Sequence, residues 1–270
     1  MTDGDATHGA YFVRESATRL RPTEHVGGAW NPAEYHVAPL FGALAHAIAG
    51  DAARRGRGDL QVARVTFDIL GVLPVEPVDI AVELVRPGKT IELVGAVLSH
   101  AGRPAVVARA WLAAEFPTSH LAGTDLPSIP GPDDAPPARL GAYWYGEFVR
   151  SVELRRHERG PGRATSWVRT DLDLVEGEPA SATTRVIGLI DVANGVSPRV
   201  AMDEAAFPNL DLTVHFFRAP RAGWLGLDTS VSFGPTGLGV THCILHDESG
   251  PFGTVMQALT VRPVVRDGGR

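Results

Sequence analysis

The sequence predicts an α+β protein built from two copies of one unit, each an antiparallel sheet wrapped around a central helix. Three observations lead there. A proline-rich stretch divides the chain, the same order of elements returns on either side of it, and the helix-like stretches are almost free of charge. A helix apolar on most sides has to be covered on most sides, and a curled antiparallel sheet does that while burying its own apolar face.

The elements follow in chain order. A hairpin is expected from Tyr11–Glu15 and Thr18–His25. Val37 to Ala53 carries Leu40, Leu44, Ala47 and Ile48 at the spacing of one helix face, and Leu40 to Ala45 has no charge. Four alternating, Val- and Ile-rich runs come next, near Gln61–Leu70, Val78–Val85, Thr90–Ser99 and Ala105–Leu112, parted by Pro and Gly turns. Phe116 to Ala138 then holds six prolines in 23 residues, which neither a helix nor a central strand tolerates. The expected organisation is an N-terminal unit at 1–115, a linker at 116–140 and a C-terminal unit at 141–270.

In the second unit a hairpin (Phe148–His157 with Ala164–Thr170) precedes a helix near Ala182–Asn194. Strands follow near Leu210–Arg218, Leu225–Phe233, Gly237–His246 and Thr254–Val261. A shift of 148 residues lays Ala45 on Ala193, Pro87 on Pro235, Gly102 on Gly250 and Val107 on Val255. Short turns favour antiparallel pairing, because parallel strands need a long crossover.

Composition excludes several classes of function. The 270 residues are 44% hydrophobic and 21% charged, with a net charge of −6 and a pI of about 5.9. The basic runs Arg54–Arg57 and Arg155–His157 are short, so no nucleic-acid partner is expected. The single cysteine, Cys243, can form neither an internal disulfide nor a cysteine cage, which fits a reducing cytoplasm and a small buried hydrophobe. No apolar run nears the roughly 20 residues that cross a bilayer, and the polar start from Met1 to Ala10 is no signal peptide, so no membrane association is expected.

Familiar motifs fail on inspection. Gly88-Lys89-Thr90 ends like a phosphate loop, but Glu83 stands where its first glycine belongs. The Gly-rich Gly234–Gly239 joins two strands and leads into no helix. There is no Gly-x-Ser-x-Gly elbow. His242 and His246 would lie about 13 Å apart on a strand, too far to share a metal. His46 lies on the first helix, where a core role and a site role are both open.

Five segments carry a resemblance. Leu210-Asp211-Leu212-Thr213-Val214-His215-Phe216-Phe217-Arg218, with Pro220 after it, Thr229-Ser230-Val231-Ser232 and Thr254-Val255-Met256-Gln257-Ala258 fall in order in the second unit. Val85-Arg86-Pro87-Gly88-Lys89-Thr90 and the turn at His100-Ala101-Gly102-Arg103 fall in the first. Together they resemble the acyl-CoA thioesterase II family, whose members are double hotdog proteins. The resemblance implies hydrolysis of fatty acyl-CoA to fatty acid and CoA, without a cofactor. It implies direct attack by a water held by Asp211, Ser232 and Gln257. The family's usual hydroxyl is threonine; register puts Ser232 there, with Ser230 and Thr236 as the alternative candidates. It also implies a homo-oligomer, since such sheets extend edge to edge.

The chemistry suits those residue types. An ionised Asp accepts a proton from a water within hydrogen-bond reach, while an amide and a hydroxyl offer donors and acceptors that fix that water in place. The thioester oxygen needs donors where charge develops, expected near a helix start. At the shift of 148, Asp211, Ser232 and Gln257 fall on Ala63, Leu84 and Arg109, so the first unit lacks the set. Trp30, Tyr35, Phe216, Phe217 and Trp224 are the candidate liners of an acyl tunnel, and Arg86, Lys89 and Arg218 the candidates for CoA phosphates. Two other readings stay open: a hydratase or dehydratase of enoyl or hydroxyacyl thioesters using Asp211 and His215, and a non-catalytic acyl-CoA binding protein.

Overall fold

The computed structural model describes residues 9–142 and 144–264. The first unit contains β1 (Ala10–Arg14), β2 (Arg19–Pro22), α1 (Val37–Arg54), β3 (Leu60–Ile69), β4 (Val78–Arg86), β5 (Ile91–His100) and β6 (Arg103–Ala114). The connection carries β7 (Pro137–Ala138) and α2 (Glu147–Arg150). The second unit contains β8 (Glu153–Glu158), β9 (Arg163–Arg169), β10 (Asp173–Val175), α3 (Ala182–Ile187), β11 (Ala205–Ala206), β12 (Asp211–Phe216), β13 (Leu225–Phe233), β14 (Leu238–Asp247), β15 (Gly250–Thr260) and β16 (Arg262–Pro263).

Among the described residues one sheet of 14 strands runs β10-β1-β2-β4-β5-β6-β3-β12-β15-β14-β13-β9-β8-β7, and β11 pairs with β16 beside it. The two units meet edge to edge where β3 runs antiparallel to β12, Thr66 facing Thr213. The edge pairing expected between subunits is thus present within one chain. Val65, Phe67, Leu212 and Val214 turn inward from that seam and are buried, while Arg64, Thr66, Asp211, Thr213 and His215 turn outward.

The repeat is real, but its shift is 147 rather than 148. Val78 and Leu225, Ile91 and Leu238, and Arg103 and Gly250 open equivalent strands, each pair 147 residues apart. His100↔Arg103 and Asp247↔Gly250 close equivalent hairpins at the same spacing. One residue matters, because it carries every side chain of a strand to the other face.

α1 forms as its pattern predicts. The His36 ring accepts the Ala38 N–H at 3.2 Å and caps the helix, and Pro39 sits in the first turn, where no donor is lost. Ala38 to Ala45 are all buried, with Phe41 stacked on Phe67 of the sheet. On the far side Gly42 meets α3: a Cβ there would lie 3.0 Å from the Gly188 Cα, so only glycine allows this approach.

The second helix differs from the unbroken one expected over Ala182–Asn194. Ser181 caps α3 by accepting the Thr184 N–H at 3.1 Å, but α3 stops at Ile187 and Gly188, and the chain resumes as a tighter 3-10 turn over Ile190–Ala193. Val, Ile and Gly are weak helix formers, and contact with α1 sets the path instead. Likewise, Glu147–Arg150 is helical where the second hairpin was expected to begin, and the strand starts at Glu153. The proline-rich segment runs over the outer face of the second unit's sheet. There Pro130 O accepts from Trp167 Nε1 (2.9 Å), Pro127 O bonds His246 Nε2 (2.9 Å), and Ala135 packs with Trp167 and Trp224. Cys243 is fully buried, and burial pushes its thiol up to about 12. No helix among the described residues is long and apolar enough to cross a membrane.

Candidate active site

Asp191 is the carboxylate around which polar groups gather. It sits in the 3-10 turn that follows α3, 5% exposed, with apolar neighbours along the chain. Burial raises its carboxyl to about 6, and hydrogen bonds from Asn209 and Gln257 limit the rise. Asn209 Nδ2 donates to Oδ1 at 2.8 Å, and Gln257 Nε2 donates to the same oxygen at 2.9 Å. Oδ2 instead faces the His36 Nδ1 at 3.8 Å.

Each partner is held by a different element. Gln257 lies on the inner face of β15, between Val255 and Leu259, and is fully buried. Its Oε1 is buried and without a hydrogen-bond partner among the described residues, an acceptor that needs a donor. Asn209 precedes β12, bridges to Leu259, and also donates to the Asp211 carbonyl at 3.2 Å. His36 comes from the first unit, at the start of α1, with its ring 4.1 Å from that of Phe148.

All but Gln257, which lies behind Asp191, border a cavity of about 310 Å³ between the units. Asp191, Asn209 and His36 line it, with Trp30, Tyr35, Leu40 and Leu73 from the first unit, Trp144 from the connection and Arg262 from β16. Trp30, Trp144 and Phe207 meet edge to face with centroids 4.9–5.8 Å apart, so the wall is stiff and aromatic. An apolar cavity with few convergent polar groups and one carboxyl shifted toward neutrality has the features of a reaction site.

The structure does not bring Asp211, Ser232 and Gln257 together. Asp211 lies on the outer face, and its Oδ1 accepts the Ala258 N–H at 2.6 Å. Ser232 faces outward opposite Val240, while Val231, Thr241 and Gln257 face inward. Only Gln257 reaches the cavity's polar cluster. Ser230 also faces outward, within 3.5 Å of the His242 carbonyl, and Thr236 lies in the turn before β14. Asp211 and His215 do share a face, but neither lines the cavity.

Of the other candidates, Trp30 and Tyr35 line the cavity and Phe216, Phe217 and Trp224 do not. Trp224 is covered by the guanidinium groups of Arg155 and Arg169. Arg218 is committed to Asp247, 2.6 and 2.8 Å from its two oxygens, and together with Ser249 it holds that carboxyl well below the usual range. Arg86 lies over Trp111 and bonds Ile91 O. Lys89 is exposed. His46 pairs with Glu178 at 2.8 Å, away from the cavity.

Asp191 carried a signal in the sequence: it is a lone charge in the apolar run Val186–Ala193. Asn209, between Pro208 and Leu210, carried none beyond that of a turn residue.

Known proteins bear on this arrangement. Residues 29–113 match the acyl-CoA thioesterase N-terminal domain and residues 124–261 the acyl-CoA thioesterase C-terminal domain. The solved acyl-CoA thioesterase II TesB2 from Mycobacterium marinum is similar to the chain at 19% identity and a TM-score of 0.67, covering 93% of this chain and 96% of that one. The tesB protein of Mycobacterium avium subsp. paratuberculosis is similar at 17% identity and a TM-score of 0.66, with the same coverages. A hot dog fold protein of unknown function from Alicyclobacillus acidocaldarius is similar at 14% identity and a TM-score of 0.71, covering 93% and 95%. These likenesses show the fold, a double hotdog. No curated protein matches.

Proposed function

The chain belongs to the acyl-CoA thioesterase family, a thioester hydrolase, and from that premise we propose that Asp191, Asn209 and Gln257 hold and activate the hydrolytic water. One observation carries this reading: a buried, cavity-lining carboxyl raised to about 6 whose Oδ1 accepts from two amide donors, while Oδ2 accepts from no donor among the described residues and lies 3.8 Å from His36 Nδ1. A water at Oδ2 is oriented by the carboxylate, and Gln257 Oε1 offers a second acceptor for it. The water oxygen attacks the thioester carbonyl carbon and its proton passes to Asp191 Oδ2. The carbonyl π electrons move to oxygen. When they return, the C–S bond breaks, and the thiolate takes the proton from Asp191. No acyl-enzyme forms.

The substrate proposed is a fatty acyl-CoA, its acyl chain lying along Trp30, Tyr35, Leu40 and Leu73, with Arg262 at the rim near the polar part. Asp211 and Ser232 stand outside this proposal because they face away from the cavity. We keep two sequence expectations within it, a reducing cytoplasm and a homo-oligomer, the second to be read by sedimentation velocity.

The test is thiol release from a panel of acyl-CoAs from acetyl to palmitoyl. Turnover is expected for medium or long chains. Its kcat/KM should rise as pH passes about 6, where Asp191 ionises, and level off above that. Folded protein that releases no thiol from any member would refute the proposal.

A further inference from the structure

We infer that His36 is a further catalytic residue, its Nε2–H donating to the thioester oxygen as negative charge develops there. The inference rests on the proposed hydrolysis at Asp191 and names the group that would stabilise its oxyanion.

The tautomer follows from contacts. The Nδ1 lone pair accepts the Ala38 N–H at 3.2 Å, so the ring proton sits on Nε2. Burial drives the ring's pKa down to about 3, so the imidazole is neutral at working pH. A neutral imidazole at a helix start still polarises a carbonyl through its N–H. Among the described residues Nε2 has no hydrogen-bond partner, although the side chain is only 12% exposed and lines the cavity. Its Nδ1 edge lies 3.8 Å from Asp191 Oδ2, and both side chains line the same cavity. The ring is fixed by its cap bond on one side and by Phe148 on the other, and needs no reorganisation when charge develops.

The geometry also assigns the two units different tasks. The base and its amides come from the second unit, and the electrophile comes from the first. A site of this kind is incomplete in either unit alone.

Two variants separate this role from a structural one. His36→Asn places an amide oxygen where Nδ1 was and keeps a good N-cap for α1, but has nothing at the Nε2 position. His36→Gln places an amide N–H near where Nε2–H was. Both are assayed on whichever of acetyl-, octanoyl- and palmitoyl-CoA the wild type hydrolyses fastest, with thermal melts alongside.

The expected result for His36→Asn is a fall in kcat of about 10²–10³-fold, with KM within about threefold and the melting temperature nearly unchanged. His36→Gln should recover at least about tenfold of the loss, and the acid limb near 6 should stay in place in both. A His36→Asn enzyme with kcat near wild type overturns the inference. So does a glutamine variant no better than asparagine, or an acid limb that moves, which would mean that His36 acts only through Asp191. Wild-type protein with no turnover at all removes the hydrolytic reading and this one with it.

Discussion

In the first unit α1 runs unbroken for 18 residues and packs an apolar face on its sheet; in the second, the helix stops after six residues and a tighter turn carries Asp191 inward. At a shift of 147, β4 coincides with β13 and β5 with β14 end to end, β6 and β15 start together, and β3 and β12 end together. That shift puts Leu44, Val62 and Ala110 where Asp191, Asn209 and Gln257 stand. One unit therefore fills with hydrocarbon the place where the other assembles a carboxylate and two amides. The cavities follow suit: the one at the start of α1 is about 310 Å³, and the one at the start of α3, lined by Thr184, Arg185 and Gly188, is about 60 Å³. A duplicated unit has kept its packing on one side and traded part of it for a site on the other.

The largest effect should come from breaking the apolar side. Leu44 is fully buried, and Leu44→Ala should cost about 2–5 kcal/mol in chemical denaturation while leaving kcat within about threefold. A comparable loss of turnover would mean that the first unit's interior takes part in the chemistry.

Next is the cost of the buried carboxyl. Its folded pKa of about 6 lies above the ordinary 3.8, so the native state binds the proton more tightly than the unfolded chain. Stability therefore falls as pH rises from about 4 to about 6, by about 3 kcal/mol from this group. Asp191→Asn removes that penalty. Denaturation midpoints for the variant and wild type should converge near pH 4 and separate above pH 6, with the variant more stable. Equal pH dependence in the two would show that Asp191 is not shifted.

Gln257→Leu takes away one of two donors to Oδ1 and replaces a buried amide with a side chain of similar size. kcat/KM should drop by about 10- to 100-fold and its acid limb should move above 6, because the lost bond had held the carboxyl down. An unmoved limb would place the glutamine outside the carboxyl's hydrogen-bond set. Ser232→Ala, on the outer face, should change stability by less than about 0.5 kcal/mol and leave turnover as it was, which steady-state kinetics and one melt will decide.

The strands and the doubling were legible because period-2 runs and Pro/Gly turns recur on both sides of the linker. Leu225–Phe233 was placed to the residue. The face of each strand was harder to read. A shift of 148 in place of 147 matches four identities, yet it exchanges inside for outside; Asp211, singled out by the resemblance of its strand, likewise points outward. Gln257 was found through the resemblance of Thr254–Ala258 to a family strand, and its burial among Val255, Leu259 and their neighbours agrees with an amide that has to be satisfied. Asp191 was lost inside a stretch read as one continuous helix, where nothing marked the break except Gly188, and the meaning of Gly188 lies in its contact with Gly42. His36 reads as a loop residue until the fold sets the start of α1 against the second unit.

The most direct measurement is thiol release by Asp191→Asn and Asp211→Asn side by side, both verified as folded, on the best acyl-CoA of the wild type. An inward site predicts that Asp191→Asn loses about 10²–10⁴-fold in kcat while Asp211→Asn stays within about threefold. The reverse pattern, an active Asp191→Asn enzyme and a dead Asp211→Asn enzyme, would move the chemistry to the outer face of the sheet and contradict the account.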